Sequence, residues 1–110
     1  MEITSREYKR VNVLRVAGRV DAKTASQFED TLRLHIHNGA LHLVLEMDGT
    51  DYLSSAGVRA LISAQKTLKP KGGSVMIAQP SQRVREVIQI VGMESLFPIF
   101  DDTVAAVGSV

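Results

Sequence analysis

The stretch Leu41-His42-Leu43-Val44-Leu45-Glu46-Met47 decides how this chain is read. Leu41, Leu43, Leu45 and Met47 put an apolar residue at every second position, the period of a β-strand, and so strong a run predicts a central place in a sheet. Immediately before it, Asn38-Gly39 tolerates the left-handed conformation that closes a helix. Ala25, Phe28, Leu32 and Ile36 precede that stop at helical spacing, with Glu29, Asp30 and Arg33 turned outward. Thr24-Ala25-Ser26-Gln27 fits a capping box at the start of this helix, a hydroxyl followed three positions on by Gln. After the strand, Asp48-Gly49-Thr50-Asp51 reads as a turn, and Tyr52-Leu53-Ser54-Ser55 leads into a second helix. Val58, Leu61, Ile62 and Leu68 form its apolar face; Arg59, Ser63 and Lys66 form the wet one.

Further out, residues 2–8 (EITSREY) mix β formers with charges, as an edge strand does. Lys9-Arg10 makes a polar break before a more apolar strand over 11–17, which Gly18-Arg19-Val20-Asp21 ends. On the other side, Pro70-Lys71-Gly72-Gly73 terminates the second helix and Ser74–Ala78 forms a strand. Ser81 caps a third helix that turns Val84, Val87, Ile88 and Val91 inward and closes at Gly92. A short strand at 96–100 and a helical turn from Asp101-Asp102 to Val107 complete the order β-β-α-β-α-β-α-β-α. Alternating strands and helices after an opening hairpin predict an α/β fold. Its sheet is mixed and mostly parallel, with the hairpin at one edge and about four helices largely on one face.

The chain has 110 residues, 13 Lys+Arg against 12 Asp+Glu, and no cysteine. That length suits one domain over 1–110. The absence of cysteine excludes a disulfide scaffold, a thiol redox centre and Cys-ligated zinc. A net charge of +1 argues against a direct nucleic-acid binder. No apolar run reaches the ~20 residues of a membrane helix, and Met1–Glu7 lacks the apolar core of a signal peptide, so neither membrane insertion nor secretion is expected and the cytoplasm is.

Catalytic and cofactor patterns are missing. Leu53-Ser54-Ser55-Ala56-Gly57 lacks the first glycine of a nucleophile elbow, and no phosphate loop or dinucleotide fingerprint occurs. His35 and His37 fall on opposite sides of a helix and His42 on a strand, so surface roles explain them better than a metal. Asp101-Asp102 opens a helix, where negative charge is favoured anyway, and Lys66, Lys69 and Lys71 rim a helix end that favours cations. We therefore expect neither an enzyme nor a cofactor. Ser54-Ser55 at a helix entrance is different. The plain reading is a cap. The alternative is a phosphorylation site, since a helix N-terminus stabilises an added phosphate whose charge changes what can dock.

At these residues the chain resembles the STAS domain family of sulphate-transporter regions and bacterial anti-sigma factor antagonists. Three segments carry the likeness: Gly18-Arg19-Val20-Asp21; Leu43–Asp48 followed by Tyr52–Leu61; and Val84–Phe100 with Gly92-Met93 and Leu96-Phe97-Pro98-Ile99-Phe100. The resemblance implies an anti-sigma factor antagonist that binds an anti-sigma factor which is also a serine kinase. Phosphorylation releases the complex, and a PP2C-type serine phosphatase resets it. The matching acceptor is Ser55. Where the antagonists commonly carry Asp just before the acceptor this chain has Ser54, which becomes the alternative acceptor. Asp21, Tyr52, Ser54, Ser55, Val58 and Arg59 are the expected contact surface. A STAS subunit of a signalling scaffold or of a lipid or anion transporter is the second reading, a small enzyme or nucleotide binder a distant third. Whether the protein forms a homodimer stays open.

Overall fold

The computed structural model describes every residue except Lys9. Of the break expected at Lys9-Arg10, only Arg10 lies within the described residues, in a turn. β1 (Glu2–Tyr8) runs antiparallel to β2 (Val11–Val20), followed by α1 (Ala25–His37), β3 (His42–Glu46) and β4 (Thr50–Leu53). Then come α2 (Ser55–Leu68), β5 (Ser74–Ala78), α3 (Gln82–Ile90), β6 (Ile99–Phe100) and α4 (Thr103–Gly108). The sheet is ordered β1-β2-β3-β5-β6, and every pairing beyond the hairpin is parallel. The strand that decided the reading is central, as expected, with Leu43, Val44 and Leu45 fully buried.

Register divides the core. Leu14, Leu45, Ile77 and Ile99 lie side by side across the sheet and face α1, α2 and α3. Val13, Val44 and Met76 form the neighbouring row on the opposite face, where Ala106 and Val107 of α4 cover them. Three helices thus share one face and α4 closes part of the other. A six-residue helix suffices there because only the central strands need cover.

Five local expectations are corrected. The turn at 48–51 is shorter than read: after Asp48-Gly49 the chain forms β4, which pairs with the far end of β2. β2 pairs with β3 only as far as Arg15, and Gly18, at φ +97°, then begins the β4 pairing with its N–H donating to Gly49 O at 2.8 Å. Thr50 then anchors β4 through its hydroxyl, which donates to Val16 O at 2.8 Å. Consequently β2 does not end at Gly18 but continues to Val20. The capping box at Thr24 does not form. Its hydroxyl donates to Arg19 O and accepts from Asp21 N–H, so the preceding turn claims it. Val91 was expected inward and is exposed, because α3 has ended at Ile90. Finally, the strand expected at 96–100 pairs only at Ile99 and Phe100, while Phe97 turns into the core.

Candidate functional site

The parallel pairing of β2 with β4 builds one end of the sheet. Val20 sits beside Leu53, both buried, and Ser54 N–H donates to Val20 O at 2.8 Å. Asp21 and Ser54 are therefore neighbours where both strands stop. From there Asp21 enters the turn before α1 and Ser54 enters α2. A sheet end where two strands hand over to loops and helix starts is where α/β folds place binding surfaces.

The two serines differ. Ser54 is the N-cap of α2: its backbone is extended and its Oγ accepts from Gly57 N–H at 3.2 Å. Ser55 occupies the first helical position, is exposed, and its hydroxyl has no hydrogen-bond partner among the described residues. Gly57 beneath them is buried, and a Cβ there would lie 2.8 Å from both Leu53 Cδ1 and Val20 Cγ1. The helix start is thus seated directly on the ends of β2 and β4.

Asp21 holds its own turn. Its Oδ1 accepts from Lys23 N–H at 3.0 Å and Thr24 N–H at 3.1 Å. The Thr24 N–H bond, aided by those from Lys23 and the Thr24 hydroxyl and by the Arg19 charge, sets the carboxyl below its usual value against a smaller opposing effect of burial. Tyr52 is half-buried, and the Arg19 guanidinium lies 4.5 Å from its ring centre. Arg19 also reaches Asp21, Nε to Oδ2 at 3.6 Å.

Asp21, Tyr52, Ser54 and Ser55 are thereby brought to one end of the sheet, with exposed Arg59 one turn into α2. Val58 is not on that surface. It is 6% exposed and packs in the core, because the helical period that puts Arg59 outward turns Val58 toward the sheet. Sequence reading missed Arg19 as part of the site. The available signal was its place two residues before Asp21, within reach of that carboxylate as the strand ends.

The remaining candidates disperse. His35 Nδ1 meets Asn12 Nδ2 at 3.0 Å, His42 Nδ1 meets Ser74 Oγ at 3.2 Å, and His37 is exposed at the end of α1. Asp102 caps α4, accepting from Ala105 N–H at 2.7 Å, and Asp101 pairs with Arg85. Among the described residues no three His, Asp or Glu side chains gather as a metal site would require, and no helix is long and apolar enough to cross a membrane.

A mixed, mostly parallel sheet with three helices on one face and a polar helix start at one end defines an α/β domain built to present a surface. The STAS domain profile matches residues 2–106, and the chain belongs to that family. It is 30% identical over 106 residues to BtrV of Bordetella bronchiseptica, a protein described as a candidate anti-sigma factor antagonist, covering 96% of this chain and 91% of that one. An anti-sigma factor antagonist from Mycobacterium paratuberculosis superimposes with a TM-score of 0.90 at 21% identity, covering 99% and 92% of the two chains. The Bacillus cell fate determinant SpoIIAA in its phosphorylated form superimposes with a TM-score of 0.76 at 19% identity, covering 98% of each chain.

Proposed function

We propose that this chain, acting as one unit over 1–110, is a non-enzymatic anti-sigma factor antagonist of the cytoplasm. It binds an anti-sigma factor that is also a serine kinase, and phosphorylation of Ser55 switches it off. The observation that carries the reading is the division of labour at the start of α2: Ser54 spends its hydroxyl on the cap, while Ser55 presents a free one to solvent. The descriptions of the relatives support the partner class. In the transfer, Ser55 Oγ takes the γ-phosphoryl group of ATP, its proton is released and ADP leaves. A PP2C-type phosphatase then returns the hydroxyl by hydrolysis.

The magnitudes suit such a switch. The molecule exposes 5910 Å². A standard interface takes about 800 Å² per partner, roughly one seventh of that surface. A phosphate adds about −1.5 to −2 charges. Leaving that charge unpaired in a dry interface costs several kcal/mol, and each 1.4 kcal/mol is tenfold in affinity. The docking surface comprises Asp21, Tyr52, Ser54, Ser55 and Arg59.

The test is a pull-down from the native cytoplasm with this chain as bait, followed by reconstitution with any anti-sigma factor kinase it recovers, measuring phosphate incorporation and complex formation. Ser55→Ala retains binding and takes no phosphate, whereas Ser55→Asp binds at least tenfold more weakly. Full phosphorylation of Ser55→Ala would move the acceptor to Ser54. No complex with the unphosphorylated wild type would remove the partner assignment.

A further inference from the structure

Among the described residues, Arg19 is the cation at the switch end that meets two of its neighbours there. The face of Tyr52 supports its guanidinium at 4.5 Å, and Asp21 Oδ2 lies 3.6 Å from its Nε. The Asp21 contact is made by Nε, and no Nη hydrogen bond occurs among the described residues. With the side chain 61% exposed, this is a planar donor fork resting on Tyr52 and open to solvent. Such a fork matches an oxyanion with two oxygens in one plane.

Ser55, the proposed acceptor, presents its hydroxyl at the same end. It lies three residues beyond Tyr52, the strand partner of Arg19. At about 3.3 Å per residue that is at most roughly 10 Å, a span that an extended arginine and a phosphoserine cover between them. Asp21 is a weak competitor. It carries one charge against nearly two on a phosphate, and its contact with Arg19 is long. Nor does Asp21 depend on Arg19, since Lys23 and Thr24 N–H hold its carboxylate already. The other charged groups at this end are Lys23, Asp51 and Arg59, all exposed. Arg59 sits four residues after Ser55 on α2, close enough to assist.

We propose that Arg19 is the phosphate-reading residue of the switch: a phosphate on Ser55 draws its guanidinium away from Tyr52 and Asp21 into a bidentate pair. This rests on Ser55 being the acceptor. Phosphorylation then does more than add charge. It uncovers the Tyr52 ring and withdraws from the docking surface a cation that the unphosphorylated form offers to an acidic side chain of the partner.

The experiment uses the full chain with phosphoserine built in at position 55 by genetic encoding, so that no kinase is needed. The second phosphate ionisation is followed by phosphorus NMR in the wild type, Arg19→Gln and Arg59→Gln, with the thermal midpoint of each unphosphorylated variant as the folding control. Arg19→Gln is expected to raise that ionisation by about half a pH unit. In the wild type, phosphorylation moves the Arg19 δ protons out of the Tyr52 ring current. Equal ionisation in wild type and Arg19→Gln, with the δ protons unmoved, overturns the proposal, as does an effect confined to Arg59→Gln. Neither result touches the acceptor assignment, which the kinase labelling of Ser55→Ala decides separately.

Discussion

Replacing Ser54 by alanine removes the oxygen that accepts the Gly57 N–H and leaves a helix start uncapped. Loss of an N-cap costs about 1 kcal/mol. Ser55→Ala removes a hydroxyl that bonds to nothing described, and stays within about 0.5 kcal/mol of the wild type. Urea unfolding of the two single variants checks the contrast, and equal losses would show that both hydroxyls share the cap. The serine pair shows where sequence reading stops. Two capping residues in a row were legible, but which one caps depends on where α2 begins, and a one-residue difference in boundary exchanges their roles. Arg19 was hidden for a related reason: its spacing from Asp21 could be read, but its stacking on Tyr52 needs the β2–β4 register, which no local pattern encodes.

At the scale of elements, β4 was the strand that sequence reading missed. Asp48, Gly49 and Asp51 carry strong turn chemistry, and only Tyr52 and Leu53 look like strand. What makes Thr50–Leu53 a strand is the end of β2 beyond Arg15, left unpaired by β3, whose Gly18, thirty-two residues before Thr50, starts the pairing. By contrast β3, β5 and α2 were legible because each carries its own apolar period. The seat of α2 on β4 gives a test. Gly57→Ala forces a methyl to within 2.8 Å of Val20 and Leu53 side chains, so the helix start must lift. Overpacking of this kind costs about 1–3 kcal/mol. Its NMR shift changes should centre on Val20, Leu53 and Ser55, and changes centred on β5 would contradict this seating. Gln65 ties the other end of α2. Its side chain is 1% exposed, accepts from Val75 N–H at 2.6 Å, and donates to Val75 O and Leu96 O at 3.2 and 2.8 Å. Gln65→Leu strands those backbone groups, each worth about 1–3 kcal/mol when buried and unpaired. Thermal unfolding of this variant is expected to show a loss of at least 2 kcal/mol. No sequence pattern marked Gln65, which sits on an apolar helix face as an apparent exception.

Over the whole molecule, one buried carboxylate links the hairpin, the central strand and α4. Glu46 accepts from Arg6 at 3.2 and 2.9 Å and from the Thr103 hydroxyl. The Arg6 hydrogen bonds lead in holding the Glu46 carboxyl below its usual value, against its burial and with help from Thr103. A folded-state pKa below the unfolded one contributes stability that is complete above the ordinary glutamate range and is lost as the pH falls through the lowered value. Arg6→Gln removes the main cause, so wild type and variant should differ most near neutrality and converge on acidification below about pH 4. Denaturant midpoints measured across that range decide it, and a constant difference at all pH values would count against the pairing. Because α4 covers the sheet through Ala106 and is tethered through Thr103, the same acidification should loosen α4 first.

The strand that presents Ser55 also has an unusual lifetime written into its position. β3 is flanked by β2 and β5, so its amides are sealed from both sides, whereas β4 pairs with one strand only, through three residue pairs with β2, besides a bond from the Ser81 hydroxyl to Thr50 O. Opening β4 breaks that short ladder and leaves the Val13–Val44–Met76 row intact. Amide protons of Thr50–Leu53 should therefore trade with solvent deuterium through a local excursion, while those of Leu43–Leu45 wait for the whole chain to unfold. If the proposed kinase acts at Ser55, a strand paired on one side lets the segment before it lift without unfolding the sheet.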